Sequence, residues 1–173
     1  MQIASNRALD VSTLRVRAGA LTREQFVRDY PGYYLVVTPN PESLNIGYRT
    51  VAMSVASARK SEGAPPATFD IVPIAKAPHN PYPDRVSIGR ATNCDIVFRD
   101  ASVSKLHAHF HDFRAGAPGP LRVVDLGSSN GTRVNHVILE PQHPVVLEPG
   151  DTLQLGGVKA RVADGDALYE FLR

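Results

Sequence analysis

The stretch from residue 86 to residue 135 contains three short polar clusters whose side chains suit the binding of an anion. They are Gly89-Arg90, Ser104-Lys105-Leu106-His107 and the run at residues 127–132, which reads Gly-Ser-Ser-Asn-Gly-Thr. Each cluster lies where a short apolar segment, often β-branched, meets a polar loop, a pattern that predicts the junction of a strand and a loop. If these loops meet at one end of a sandwich, they bring together a permanently charged guanidinium, several hydroxyls and a side-chain amide. That is the chemistry of an oxyanion-binding site.

The same stretch gives little support to catalysis or to metal binding. Ser104 and His107 are close in sequence, but a hydrolase also needs an orienting acid, and the Gly-x-Ser-x-Gly elbow is absent from the sequence. His107, His109 and His111 alternate and would share one face of a strand, which is one way to present metal ligands. No carboxylate or cysteine completes an obvious set, so we expect exposed surface histidines. We predict no catalytic residue, no metal and no other cofactor.

Composition and charge narrow the class of protein. The chain has 173 residues, of which 43% are hydrophobic and 21% charged, as in an ordinary globular protein. A net charge of +2 is too small to indicate nucleic-acid binding, and no apolar run approaches the ~18 residues of a membrane span. The N-terminus lacks the pattern of a secretory signal, and the lone Cys94 excludes an internal disulfide. The sequence therefore predicts a cytoplasmic protein that binds neither nucleic acid nor membrane.

The polar clusters must be positioned by strands. Apolar runs of strand length recur at intervals of about ten residues, separated by turn residues, which indicates an all-β sandwich. A short helix is expected at residues 22–30, where Thr22 and Gln25 form a capping box. A second helix is expected within residues 164–172, capped by Asp164 or Asp166, with Leu168, Phe171 and Leu172 buried. The predicted strands are residues 33–38, 68–74, 86–89, 95–98, 108–113, 121–126, 145–147, 152–155 and 158–163.

The order and spacing of the motifs resemble the signature of the forkhead-associated (FHA) domain. The matching residues are Ile88-Gly89-Arg90, Ser104-x-x-His107 and Ser128-Ser129-Asn130-Gly131-Thr132-x-x-Asn135. The resemblance covers about residues 69–162. It implies an eleven-stranded β-sandwich of the SMAD/FHA type that binds phosphothreonine peptides through the loops at one end. We accordingly divide the chain into an N-terminal α+β extension packed on the core (1–66), an FHA domain (67–163) and a C-terminal helical tail (164–173).

The resemblance also implies a role for each motif residue. Arg90 and Ser104 are expected to contact the phosphate, and Lys105 either adds a further charge or is simply solvated. In the second loop, Asn130 is expected to hold the main chain of the peptide, with Ser129 beside it. The remaining motif residues are expected to shape these loops, and they are Gly89, His107, Gly131, Thr132 and Asn135.

The resulting expectation is a phosphothreonine-dependent protein interaction module that acts in Ser/Thr kinase signalling. Its partner would be a protein phosphorylated on threonine, or the kinase itself. The alternative is a scaffold that uses the FHA fold without phosphate, through its N-terminal extension or its sheet faces. The presence of Arg90, Ser104 and Asn130 favours the first, because folding alone does not need them. The sequence leaves open the partner, the preference around the phosphothreonine, the role of the extension and the oligomeric state.

Overall fold

A computed structural model describes residues 8–38, 69–111 and 120–173. The predicted extension therefore lies partly outside the described residues, at 1–7 and 39–66, as do the last two residues of the strand predicted at 108–113. The described elements, in chain order, are α1 (Val11–Ala20), α2 (Arg23–Asp29), β1 (Tyr33–Thr38), β2 (Asp70–Pro73), β3 (Arg85–Gly89), β4 (Ile96–Val97), β5 (Ala108–His111), β6 (Leu121–Asp125), β7 (Thr132–Val134), β8 (Val137–Ile138), β9 (Val145–Leu147), β10 (Thr152–Leu155), β11 (Val158–Asp164) and α3 (Gly165–Leu172).

The eleven strands form two sheets that pack face to face. The six-stranded sheet has the order β2-β1-β11-β10-β7-β8, and the five-stranded sheet has the order β4-β3-β5-β6-β9. β3 and β4 pair in parallel, whereas the other strand pairs of the described residues are antiparallel. The predicted fold class, an eleven-stranded FHA-like sandwich, is confirmed.

The core between the sheets follows the two-residue period of the strands. Val86 and Ile88 of β3 point inward together with Phe110 of β5, and they meet Leu153 and Val162 of the opposite sheet in one buried cluster. The residues that alternate with them in β3, β5 and β6 therefore lie on the outer face of the five-stranded sheet. This assignment of faces decides which polar side chains share a surface.

A layer of three helices covers the opposite face of the six-stranded sheet. It contains a second buried cluster, in which Phe26 of α2 and Leu168 of α3 pack against Tyr34 and Val36 of β1. The capping box of α2 is present, and α3 is capped by the carboxylate of Asp164. No helix of the described ranges is long and apolar enough to cross a membrane.

Three expectations, two about the helices and one about where the sandwich begins, need correction. The sequence predicted no helix before residue 20, yet α1 packs there through Leu14 and Ala18. Phe171 was expected to be buried, but it is 39% exposed and its ring meets that of Phe69 edge-on, with the centroids 4.6 Å apart. Finally, β1 lies inside the six-stranded sheet, between β2 and β11. The sandwich therefore begins well before the boundary drawn at residue 67.

Candidate functional site

One open cavity of about 390 Å³ brings together every residue expected to contact a phosphopeptide. Arg90 enters it directly after β3, and the β4–β5 and β6–β7 loops supply the rest. Loops that follow strands at one end of a sandwich thus place distant parts of the sequence side by side. The predicted lining residues are Arg90, Ser104, Lys105, Ser129 and Asn130, and the structure adds Ala101, Ser102, Val103 and Leu106.

Arg90 is exposed, and hydrogen bonds hold its backbone and the Nε of its side chain in place. Its backbone N–H donates to the carbonyl of Ser104 at 2.9 Å, and its Nε donates to the carbonyl of Val103 at 3.1 Å. In the described part of the chain, no other hydrogen bond or ion pair engages this guanidinium. Its terminal nitrogens are therefore available as a planar fork of charged donors.

Ser104 and Ser129 join the two loops across the cavity. The Ser104 hydroxyl oxygen accepts the backbone N–H of Ser129 at 3.0 Å, and the two hydroxyl oxygens are 3.5 Å apart. The Ser104 hydroxyl donates to the Ser129 hydroxyl oxygen at 3.5 Å, a long and weak contact, so an anion can take that hydrogen bond instead. The hydroxyl is thus oriented before any ligand arrives.

The side-chain amide of Asn130 is also held in place. Its Nδ2 donates to the carbonyl of Ser102 at 2.8 Å, which leaves the amide oxygen and a second N–H for a ligand. Ser102 is anchored in turn, because its hydroxyl donates to Asp100 at 2.6 Å and accepts the N–H of Gly157 at 2.7 Å. The sequence placed Ser102 only within a loop at residues 99–102 expected to read the peptide, and it assigned no contact to this side chain. The Asp-x-Ser spacing, typical of a side-chain turn, was the signal that could have revealed it.

Lys105 lies on the rim of the cavity with an exposed side chain. Its backbone carbonyl accepts the N–H of Ala91 at 2.9 Å and the thiol of Cys94 at 3.3 Å. Within the described residues its ammonium has no hydrogen-bond or ion-pair partner, so it adds an uncompensated positive charge beside Arg90.

His107 is fully buried behind the cavity and links both loops. Its Nδ1 accepts the backbone N–H of Ser104 at 3.1 Å, and its Nε2 lies 3.2 Å from the carbonyl of Gly131. The ring must therefore be neutral, with its proton on Nε2, to satisfy both contacts. Burial lowers the pKa of His107, although the Gly131 carbonyl and the nearby Asp125 act in the opposite direction.

Asp125 organises the β6–β7 loop from beneath. Its carboxylate accepts the hydroxyls of Ser128 and Thr132, each at 2.6 Å, and the backbone N–H of Gly127 at 2.8 Å. Burial favours a raised pKa for this carboxyl, but these hydrogen bonds outweigh it and the pKa lies below its ordinary value. The buried Thr132 hydroxyl is thus a structural contact rather than a ligand group.

Two glycines are required by the geometry of the loops. A Cβ at Gly89 would lie 2.3 Å from the carbonyl oxygen of Lys105, so the close approach of these two backbones depends on glycine. Gly131 has a φ of +74°, in the left-handed region that other residues resist. Both positions shape the cavity without lining it.

Asn135 lies at the turn between β7 and β8 and outside the cavity. Its φ of +48° and the +70° of His136 are those of a tight two-residue hairpin. The Asn135 side chain donates to Asp151 at 2.8 Å and accepts the N–H of Thr152 at 2.9 Å. It therefore fastens the hairpin to the loop before β10.

The expectation that the alternating histidines are exposed is wrong for His107 and His109. His109 is 8% exposed, and its Nε2 contacts that of His111, with the ring centroids 4.1 Å apart. Burial, followed by the neighbouring His111 and Arg85, lowers the pKa of His109 to about 4, so this ring is neutral near pH 7. The described residues contain no group of three or more His, Cys, Asp or Glu side chains placed to hold a metal ion.

Comparisons with known proteins agree with the motif spacing. A sequence model of the FHA domain matches residues 86–156. The oxoglutarate dehydrogenase inhibitor of Corynebacterium diphtheriae is 34% identical over 115 residues, which are 64% of this chain and 76% of that protein. The glycogen accumulation regulator GarA of Mycolicibacterium smegmatis is 44% identical over 70 residues, which are 40% of each protein.

Solved FHA domains also align with the chain. One, from a study of "phosphothreonine-dependent FHA domain interactions", is 27% identical with a TM-score of 0.41, and the alignment covers 47% of this chain and 78% of that one. Another, the FHA domain of CT664 from Chlamydia trachomatis, is 20% identical with a TM-score of 0.49, covering 76% and 96%. On the family match and the identity to the corynebacterial relative, the chain belongs to the FHA domain family.

Proposed function

We propose that this chain is a phosphothreonine-dependent protein interaction module acting in Ser/Thr kinase signalling. The observation that carries the proposal is the convergence of Arg90, Ser104, Lys105, Ser129 and Asn130 on one open cavity. Among the described residues, no carboxylate lines that cavity. The partner is a protein phosphorylated on threonine, or the kinase itself.

The chemistry of phosphothreonine matches these donors. The phosphate carries about −1.5 to −2 charges and three acceptor oxygens. The free nitrogens of Arg90 and the oriented hydroxyl of Ser104 contact the phosphate, Lys105 adds charge, and the amide of Asn130 holds the peptide main chain. Each charge-assisted hydrogen bond contributes about 1.5–3 kcal/mol, part of which is offset by ordering the peptide. The outcome is reversible binding on a micromolar scale.

The contacts of His107 argue against a hydrolase. Its Nδ1 accepts the backbone N–H of Ser104 and its Nε2 faces Gly131, so neither ring nitrogen is placed to take the proton of the Ser104 hydroxyl. The relatives are named as an inhibitor and a regulator, which supports a role in controlling other proteins. We place this activity in the cytoplasm, where kinases have ATP.

Calorimetric titration with short peptides tests the proposal. We expect a phosphothreonine peptide to bind and the unphosphorylated peptide to bind barely. The phosphoserine version should bind about fourfold more weakly than the phosphothreonine peptide, because it lacks one buried methyl group. Arg90→Ala should weaken binding by about 100-fold, because a forked pair of charged hydrogen bonds is lost.

Arg161→Ala is the matched control, since Arg161 is an exposed arginine on β11 of the six-stranded sheet. This variant should bind the phosphothreonine peptide with the affinity of the parent protein. Equal affinity for phosphorylated and plain peptides would reject the proposal and favour the phosphate-independent scaffold.

A further inference from the structure

The outer face of the six-stranded sheet carries three cations where the helical layer ends. Lys159 and Arg161 alternate with core residues of β11, so they point outward, and both are exposed, whereas Ala163, the next outward residue, is buried under the helices. Arg133 of β7 lies on the same face, because it is paired with Gln154 of β10, which is paired with Lys159. We call Arg133, Lys159 and Arg161 the cationic strip.

The cationic strip has no anionic partner among the described residues. No described carboxylate forms an ion pair with its three side chains, and no hydrogen bond within the described ranges engages them. Asp151 precedes Thr152, which is paired with Arg161, but the Asp151 carboxylate already accepts the side chain of Asn135 and the backbone N–H of Glu148, each at 2.8 Å. The strip therefore presents uncompensated positive charge.

An exposed apolar residue borders the cationic strip. Ile138 of β8 is paired with Arg133, so it lies on the same face, and it is 59% exposed. The neighbouring Val137 is 68% exposed, and β8 forms one edge of the sheet. Apolar side chains beside cations are typical of a surface that contacts protein, since a bare anion makes no use of the apolar area.

The cationic strip begins close to the candidate phosphopeptide cavity. Arg133 is three residues along the chain from Asn130, which lines the cavity. On the neighbouring strands, the backbone N–H of Gly157 donates to the hydroxyl of Ser102 in the cavity wall at 2.7 Å, and Lys159 is two residues further on. At ~3.3 Å per residue, these two cations lie about 7–10 Å from the cavity. A longer peptide held in the cavity can therefore continue onto the strip.

We propose that the cationic strip binds an acidic segment of the partner that carries the phosphothreonine, with carboxylates of that segment at Arg133 and Lys159. The inference rests on the proposed function, because the phosphothreonine anchors the partner. The charges of strip and segment are complementary, and exposed charge pairs of this kind add specificity and a modest gain in affinity.

The distance along the sheet sets where the acidic residues lie in the partner. The cavity takes the residues next to the phosphothreonine, and the ~10 Å from Asn130 to Arg133 takes about three more. The acidic positions therefore begin about four residues from the phosphothreonine. Arg161 lies two residues beyond Lys159 on β11, so a short phosphothreonine peptide does not reach it.

The test compares phosphothreonine peptides of about 18 residues that carry glutamates four to eight positions before or after the phosphothreonine. Each has a matched peptide in which glutamine replaces glutamate. We expect the glutamate peptide of one orientation to bind about fivefold more tightly than its glutamine match, the gain expected from exposed charge pairs. The double substitution Arg133→Gln and Lys159→Gln should abolish this gain and leave the affinity for the glutamine peptide unchanged.

A matched control removes the same net charge elsewhere. The double substitution Arg17→Gln and Arg28→Gln changes two exposed arginines on α1 and α2, and this variant should retain the fivefold gain. Amide chemical shifts give a second readout that needs no variant. The glutamate peptide should shift amides of β7, β10 and β11 that the glutamine peptide leaves in place.

Four results would contradict the inference. Equal affinities of glutamate and glutamine peptides in both orientations would overturn it while leaving the proposed function intact. A gain that persists in the folded Arg133→Gln, Lys159→Gln protein would overturn it too, as would equal loss of the gain in the control variant. Binding to vesicles of anionic lipid that this first double variant loses would assign the strip to a membrane instead. If a short phosphothreonine peptide fails to bind at all, the proposed function and this inference fall together.

Discussion

His107 and His109 are buried neutral side chains in the folded protein, although histidine is usually associated with surfaces and switches. Burial is the main cause of the lowered pKa of each, and that of His109 falls to about 4 from an ordinary value of 6.5. In the unfolded chain both rings take up a proton as the pH drops below that ordinary value. Since the unfolded state then binds more protons than the folded state, the free energy of unfolding decreases as the pH falls.

We expect the urea midpoint of unfolding to drop as the pH is lowered from about 6.5 to about 5, because His109 takes up a proton in the unfolded state in this window and not yet in the folded state. In His109→Gln the drop should be smaller, since one of the two buried rings no longer titrates. His143→Gln, which removes an exposed histidine, serves as the control and should follow the parent protein. A His109→Gln profile parallel to that of the parent would contradict this account.

At the scale of elements, the β7–β8 hairpin shows how a turn supports the site without touching it. Its two turn residues have left-handed φ values, and Asn135 bonds to Asp151 and Thr152 across to the next loop. Asparagine tolerates this conformation better than most residues, because its short polar side chain forms local hydrogen bonds. The hairpin directly follows Gly131 and so sets where the Ser129–Asn130 loop ends.

Asn135→Ala should therefore lower the free energy of unfolding by about 1–2 kcal/mol, through loss of two hydrogen bonds and the cost of a left-handed alanine. The matched change at the neighbouring position, His136→Gly, should leave stability equal or slightly higher, because glycine accepts a positive φ. Denaturant unfolding of the two variants gives the comparison. Greater damage from His136→Gly than from Asn135→Ala would show that the φ values are not what matters here.

Some strand boundaries followed directly from the sequence, because turn residues bounded an apolar run. β1, β9 and β10 begin and end at the predicted residues. The β7–β8 hairpin was missed, because its Asn-His turn lacks the glycine that normally marks such a turn. α1 was missed because it buries only Leu14 and Ala18 and has no broad apolar stripe. Its one clear signal was Asp10, whose carboxylate caps the helix by accepting the N–H of Thr13 at 2.9 Å.

The candidate site was predictable to the extent that its residues are fixed by motif spacing. Spacing alone could not give Ser102, which contributes a carbonyl to Asn130, because backbone contacts depend on how the loops fold. Nor could spacing show that Arg85, His111 and Arg122 form a row across β3, β5 and β6. That row exists only through the pairing of three strands, two of which are separated by the segment at residues 112–119.

At the scale of the whole molecule, the sandwich and the helical layer share one sheet. The residues matched by the FHA sequence model, 86–156, omit β1 and β11, yet these strands are central to the six-stranded sheet. The outer face of β1 contributes Tyr34 and Val36 to the second buried cluster, which also contains Phe26 of α2. The helices are thus packed on the same sandwich that carries the candidate phosphopeptide cavity.

Phe26→Ala should cost about 3–5 kcal/mol of stability, as expected for a large side chain with no exposed surface that packs against Tyr30 and Tyr169. Calorimetric unfolding measures this loss, and Val16→Ala, at a position 72% exposed, is the control that should change little. Where the Phe26→Ala protein remains folded, its affinity for a phosphothreonine peptide should match the parent. Separate melting of a helical layer and a sandwich would contradict the shared sheet.

The pairing of β1 with β11 also governs how the molecule is assembled in time. Tyr33 lies opposite Asp164, so neighbouring strands at the centre of one sheet are far apart along the chain. Closing so long a loop costs conformational entropy before the strand contacts offset it, and folds dominated by such pairings reach the native state in milliseconds to seconds. During synthesis, the edge of β1 that pairs with β11 remains unpaired until β11 has left the ribosome. The candidate phosphopeptide cavity is built on loops between those two strands, so we expect it to reach its final shape only then.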